Sequence, residues 1–176
     1  MVAARREVRF EDLDLGRHLP IDFLLSPEEH KELVDLFFEN FAFWGPRGYR
    51  EAFDCAMQDA LSPTPIPAPK TSSTSTSVPT TPSSVHYSPM LHNAMLALAM
   101  AFSNEPHLRN LDNRMKFVAK ARSYALEEME VPTLSGILAF SYLSSFFSGT
   151  GQHSAASSYF GQCATMAQTC EYLLPC

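Results

Sequence analysis

From Ser62 to Ser84, 19 of 23 residues are proline, serine or threonine, and only Ile66, Ala68, Lys70 and Val78 break the run. A segment of that composition holds too little apolar surface to offset the entropy lost on ordering, so it predicts a disordered insert, set here at residues 62–86. The insert leaves two foldable blocks, a short one before it and a longer one from Tyr87 onward. Neither contains the alternating valine and isoleucine runs that a sheet requires, so the expected class is all-α, an irregular bundle of five to six helices. A chain of 176 residues, 45% hydrophobic, has material for one domain or part of one.

Residues 1–20 mix Arg5, Arg6 and Arg9 with Glu7, Glu11, Asp12 and Asp14 without a sustained period, and read as an N-terminal arm. Residues 21–61 read as a helical hairpin. Ser26, Pro27 and Glu29 form a capping-box signature, and Leu33, Val34, Phe37 and Phe41 then recur at helical spacing until Gly45-Pro46 stops the helix. A second helix is expected over Tyr49–Leu61, with Tyr49, Phe53, Ala56, Met57 and Ala60 on one face and Glu51, Asp54, Gln58 and Asp59 outward.

After the insert, Ser88 can cap a helix with Pro89 at its first position. That helix carries Leu91, Ala94, Met95, Leu98 and Phe102 on one face and Ala97, Ala99, Met100 and Ala101 on the other, which predicts cover on more than one side. Past Asn104-Glu105-Pro106, one helix from Leu108 or Asp112 to Glu130 is expected, with Met115, Val118, Ala125 and Met129 inward and Arg114, Lys116, Lys120 and Arg122 in water. Pro132-Thr133 opens an apolar helix to Phe147, which Gly149-Thr150-Gly151 ends. This apolar run, Leu134 to Phe147, contains four serines and falls short of the ~20 residues that span a bilayer, so it predicts a core helix. The last helix, His153 to Tyr172, aligns Ala156, Tyr159, Phe160, Cys163, Met166, Ala167 and Cys170. So apolar an end suggests that residues 87–176 are a helical core cut short at the C-terminus, with an exposed stripe left behind.

The formal charge is −6, and all 13 lysines and arginines lie at or before Arg122. Phosphate neutralisation needs clustered cations, so residues 123–176 are not expected to touch nucleic acid. The first residues lack the apolar segment of a secretory leader, which fits a reduced, intracellular setting for Cys55, Cys163, Cys170 and Cys176. No C-x-x-C pair occurs, and the six histidines show no spacing that would set two ligands on one helical turn, so no metal site is expected. Glu127-Glu128 reads as a solvated helix face and Glu28-Glu29 as a helix N-terminus, where negative charge is favoured. No serine, cysteine or lysine sits in an elbow or triad context, so no enzyme and no cofactor is expected.

Ser62, Thr64, Thr81 and Ser88 each precede proline and are candidate sites for a proline-directed kinase, against the alternative of an unmodified spacer. The small and aromatic residues of SAASSYFGQCATMAQ also allow a helical-repeat interaction scaffold, although no ~34-residue period recurs elsewhere.

The order YSPMLHNAMLALAMAFS, then a basic helix leading into ARSYALEEMEVPTLSGILAFSYLSSFFSGTGQHSAASSYFGQCATMAQ, resembles the middle homology region of fungal zinc-cluster transcription factors, the xylanolytic-activator-type regulatory region. SPEEHKELVDLFFENFAFW resembles its opening, and the likeness covers about residues 21–172. It implies an all-α regulatory region in a nuclear protein, working by effector or partner contact. The partners implied are the rest of the regulatory domain, other transcription proteins or a second copy of the chain, with no membrane. DNA and zinc binding in that family belong to a six-cysteine cluster, and no C-x-x-C-x6-C occurs here, so neither is assigned to a residue of this chain. The chain also departs from the family in its insert, in Thr165 where an arginine is usual, and in Thr169-Cys170-Glu171-Tyr172-Leu173-Leu174 where a Leu-Gly-Leu exit is usual.

Overall fold

A computed structural model describes residues 13–41, 49–62 and 85–173, with side chains through Cys170. Among these residues there are eight α-helices and no strand: α1 Pro27–Asn40, α2 Tyr49–Leu61, α3 Pro89–Ala99, α4 Pro106–Arg109, α5 Leu111–Ser123, α6 Ala125–Glu130, α7 Leu134–Gly149 and α8 His153–Leu173. Short 3-10 turns occupy Leu15–Arg17 and Met100–Phe102. Residues 63–84 of the insert and the Gly45-Pro46 turn lie outside the described residues.

The bundle is arranged around α3. Each of its residues from Pro89 to Ala99 is buried, because α1, α5 and α7 pack on different sides of it. A helix apolar all round has no face to give to water, and this one is covered as its sequence requires. Its last turn leaves carbonyls without intrahelical donors. Arg114 of α5 reaches one of them, donating Nε–H to the Ala97 carbonyl at 3.0 Å while its guanidinium lies 4.9 Å from the Phe146 ring centroid. Arg114 was expected in water; its long stem and flat cation instead fill the α3–α5–α7 junction.

α1 begins at the capping box: Glu29 N donates to Ser26 Oγ at 3.1 Å and Ser26 N donates to Glu29 Oε2 at 2.8 Å. Its buried stripe, His30, Leu33, Val34 and Phe37, faces α3 and α7, where Phe37 meets Tyr142 edge-on at 5.0 Å. α2 is held to α1 by Phe38 against Phe53 and by Arg50, which bonds Asp35 and Asp54 at 2.7 Å each and lies over the Phe38 ring. Asp54, expected to point outward, is therefore partly covered. Residues 13–20 are docked as well: Asp14 N donates to the Leu61 carbonyl, Arg17 to that of Ala60, and Leu19 is buried.

The helix expected from Leu108 or Asp112 to Glu130 starts at Leu111, after the short α4, and is broken at Tyr124 into α5 and α6. Asn110 leaves helical geometry with ψ 127° and caps α5 by accepting from Asp112 N. Tyr124, at φ −97° and ψ −4°, sits in the bridge region, donating its N–H to Ala121 while the Ser123 hydroxyl takes the Lys120 carbonyl. The buried face of this stretch runs through Phe117, Ala121 and Glu128, with Met129 turned outward.

α7 ends in a Schellman motif. Gly151, at φ +77°, takes the left-handed conformation, Gln152 N donates to the Phe147 carbonyl and Gly151 N to that of Ser148. The turn lays α8 back along α7, where Tyr159 stacks on Phe147 at 5.2 Å and the Ser144 hydroxyl donates to the Ala156 carbonyl. Ala156, Tyr159, Cys163 and Met166 form the seam, but Phe160 is 64% exposed and Ala167 is also exposed. A helix packed mainly on one neighbour buries a narrow stripe, and Phe160 lies one residue, about 100°, beyond it.

Candidate functional site

The polar groups inside this core gather at the first turns of α3. His92 lies fully buried in α3, and its Nε2 is 2.7 Å from Nε2 of His30, which α1 buries from the other side. At that distance one ring carries its proton on Nε2 and the other presents a lone pair. His92 Nδ1 faces the Tyr87 hydroxyl at 3.2 Å, so the hydrogen-bonded chain runs His30–His92–Tyr87. Phe53 of α2 packs edge-on against His92 and covers Tyr87. Asn93, beside His92, donates Nδ2 to the carbonyls of His18 and Pro89 at 2.8 Å each. The His18 ring in turn approaches the Tyr124 hydroxyl at 3.4 Å.

Ser88 caps α3 by accepting from Leu91 N at 3.2 Å and also bonds the Glu128 carboxyl. Thr133, the N-cap of α7, shares that carboxyl and accepts from Gly136 N. Glu128 is 6% exposed, so its reading as a solvated residue is corrected. It stands seven residues after Ala121 and eleven after Phe117, on the same helical face as both, and counting from Phe117 rather than Met115 would have placed it inside.

Burial dominates the electrostatics of this cluster. It lowers the His30 ring to about 4 and drives His92 well below the ordinary histidine value, with the charges that His30 and His18 would carry adding to the effect on His92. His18 is lowered by burial and then by Arg17 and Lys120, against the opposing pull of Asp14. Burial raises the Glu128 carboxyl, with Glu127 adding to the shift and the Ser88 and Thr133 hydroxyls opposing it. At neutral pH the histidines are therefore uncharged and bond as neutral rings.

The candidate phosphorylation sites fall in three settings. Ser62 is half-buried at the end of α2, with its hydroxyl donating to the Gln58 carbonyl at 2.6 Å. Thr64 and Thr81 lie outside the described residues. Ser88 is fully buried between Leu91 and Glu128, so a kinase reaches it only where the start of α3 opens. Cys55 is exposed on α2, while Cys163 and Cys170 are partly covered free thiols on α8, and burial raises the Cys163 thiol. Among the described residues no three histidine, cysteine, aspartate or glutamate side chains gather as metal ligands, and no helix is long and apolar enough to cross a membrane. Two of the buried histidines are 62 residues apart, so no local spacing could have paired them.

The arrangement joins helices. Three elements around the first turns of α3 are tied to it by polar contacts, α1 through His30, residues 13–20 through the His18 carbonyl and α6 through Glu128, while α2 adds the Phe53 ring. Comparison with family models returns a match described as a fungal specific transcription factor domain and spanning residues 34–171. Comparison with curated proteins and with solved structures returns no match.

Proposed function

We infer the role from one premise: the chain belongs to the fungal specific transcription factor domain family, and it is a regulatory region of a fungal transcription factor. We propose that it works in the nucleus, without enzymatic chemistry, by contact with a partner or effector, the partners being the rest of the regulatory domain, other transcription proteins or a second copy of the chain. DNA and zinc then belong to a cluster that none of these residues forms. The observation that carries this reading is the match from residue 34 to 171, which begins within α1 and runs into α8. Two features support it. The polar groups of the core are spent on joining helices, and residues 123–176 bring no lysine or arginine to a phosphate backbone.

Fusing the full chain to an unrelated DNA-binding domain tests the proposal in a fungal reporter assay. Reporter output is expected to change by several-fold relative to the DNA-binding domain alone, and unchanged output refutes the regulatory role. A gel shift with the 176 residues alone is expected to show no sequence-specific band; a tight, salt-sensitive one would sink the assignment of DNA contact to another region.

A further inference from the structure

We propose that the Nε2–Nε2 hydrogen bond between His30 and His92 is an acid-released latch that holds α1 on α3. The bond needs one donor and one lone pair, and it lies in a site enclosed by α1, α2 and α3 with both rings fully buried. One added proton turns the pair into a buried monocation. A second makes both Nε2 atoms donors, and two N–H groups cannot face each other at 2.7 Å, so the bond breaks.

Among the described residues, the groups packed around the pair bring no carboxylate to such a cation. On the α3 side stands Tyr87, and its hydroxyl is already engaged at His92 Nδ1. From residues 13–20 comes His18, itself a base, with Arg17 beside it and Asp14 opposing. From α5 come Lys120, which acts on His18, and at its end Tyr124. α2 contributes the Phe53 ring. On α1, Glu29 is committed to Ser26 and His107, and Glu128 of α6 meets the hydroxyls of Ser88 and Thr133.

Opening α1 gives the two rings to water, where they accept protons near the ordinary value. The sign follows directly. The open state binds more protons than the closed one between about pH 6.5 and the lowered values, so closure is full above that window and is lost as pH falls through it. The opening constant should rise by up to about tenfold per pH unit for each histidine that titrates on release. What opens is the face of α1 carrying Leu33, Val34 and Phe37.

Hydrogen exchange of the full chain at pH 7.5, 6.5, 5.5 and 5.0, corrected for intrinsic exchange rates, tests the latch. The amides of α1 are expected to lose protection first, tenfold or more between pH 6.5 and 5.5, while those of α7 and α8 hold. The pair His30→Gln with His92→Gln can keep an amide–amide hydrogen bond and does not titrate, so it should flatten the pH dependence of α1. If that variant does not fold, histidine ring resonances of the unaltered chain decide: His30 and His92 should stay neutral until α1 exchanges. Protection of α1 that does not change with pH, loss of all helices together, or an unchanged slope in the glutamine variant each overturns the proposal.

Discussion

Replacing Gly136 by alanine sets two effects of opposite sign against each other. Gly136 is the third residue of α7, and in a helix interior alanine is favoured over glycine by roughly 1 kcal/mol. A Cβ built there stands 2.9 Å from Met166 Cε, 3.0 Å from Glu128 Oε2 and 3.3 Å from Thr133 Oγ1. The Met166 methyl ends a flexible side chain and can swing away at small cost. The Glu128 carboxyl cannot move freely, because the hydroxyls of Ser88 and Thr133 hold it in a buried site. Displacing it leaves buried polar groups unpaired, at about 1–3 kcal/mol, which outweighs the gain in propensity. Gly136→Ala should therefore destabilise the fold by up to about 2 kcal/mol. Gly161 of α8 is the control: nothing lies within 4 Å of its Cβ, and Gly161→Ala should stabilise by about 0.5–1 kcal/mol. Urea denaturation followed by far-ultraviolet circular dichroism reads both changes. In a Glu128→Ala background the cost of Gly136→Ala should vanish, and the difference is the coupling between the two sites. If Gly136→Ala stabilises as much as Gly161→Ala, the close packing of α6 on α7 is refuted. If its cost is the same with and without Glu128, the carboxylate is not what sets it.

Phe37→Ala removes a buried ring that packs on Tyr142 and Phe41, and should cost about 3–5 kcal/mol in the same urea measurement. Glu128→Gln keeps a partner for the Ser88 and Thr133 hydroxyls and removes the buried charge, so it should raise stability at pH 7. Because the folded carboxyl is raised, the native chain loses stability as pH rises from the ordinary carboxyl value through the raised one, and denaturation curves across that range should flatten in the variant. Ser88→Glu sets a second carboxyl against Glu128 at the buried cap of α3, and should abolish cooperative unfolding by circular dichroism, whereas an unchanged melt would show that this cap is open to water.

How much of this was legible depended on how local each cause is. The capping box at Ser26 and Glu29, the Ser88-Pro89 start of α3 and the Gly151 stop are contacts among residues at most five apart, and they were readable as such. The cover around α3 followed from its having no polar face. The start near Asp112 was open as one of two readings, but the break at Tyr124 was not legible, because Tyr124 is neither proline nor glycine and the break turns on that single residue leaving helical dihedrals. The charge of Glu128 points to water, whereas its register with Phe117 and Ala121 places it inside. The His30–His92 pair and the Arg114 contact with the Ala97 carbonyl join elements far apart in sequence, and no spacing rule reaches them.

Apolar cover alone would leave α3 poorly registered. Its exterior is built largely from alanine, leucine and methionine, and a neighbouring helix shifted by one turn, about 5.4 Å, would meet much the same surface. The polar residues remove that freedom, because each has a partner at only one position: His92 opposite His30, Asn93 at the His18 carbonyl, Ser88 at Glu128. A slip by one turn would leave buried donors and acceptors unpaired at about 1–3 kcal/mol each, a penalty that apolar contacts do not impose. The cost of burying these groups is thus set against a single arrangement of α1, α6 and residues 13–20. The bond between neutral histidines is the one whose two partners both titrate near neutral pH when exposed, so α1 is the element whose register is most open to control.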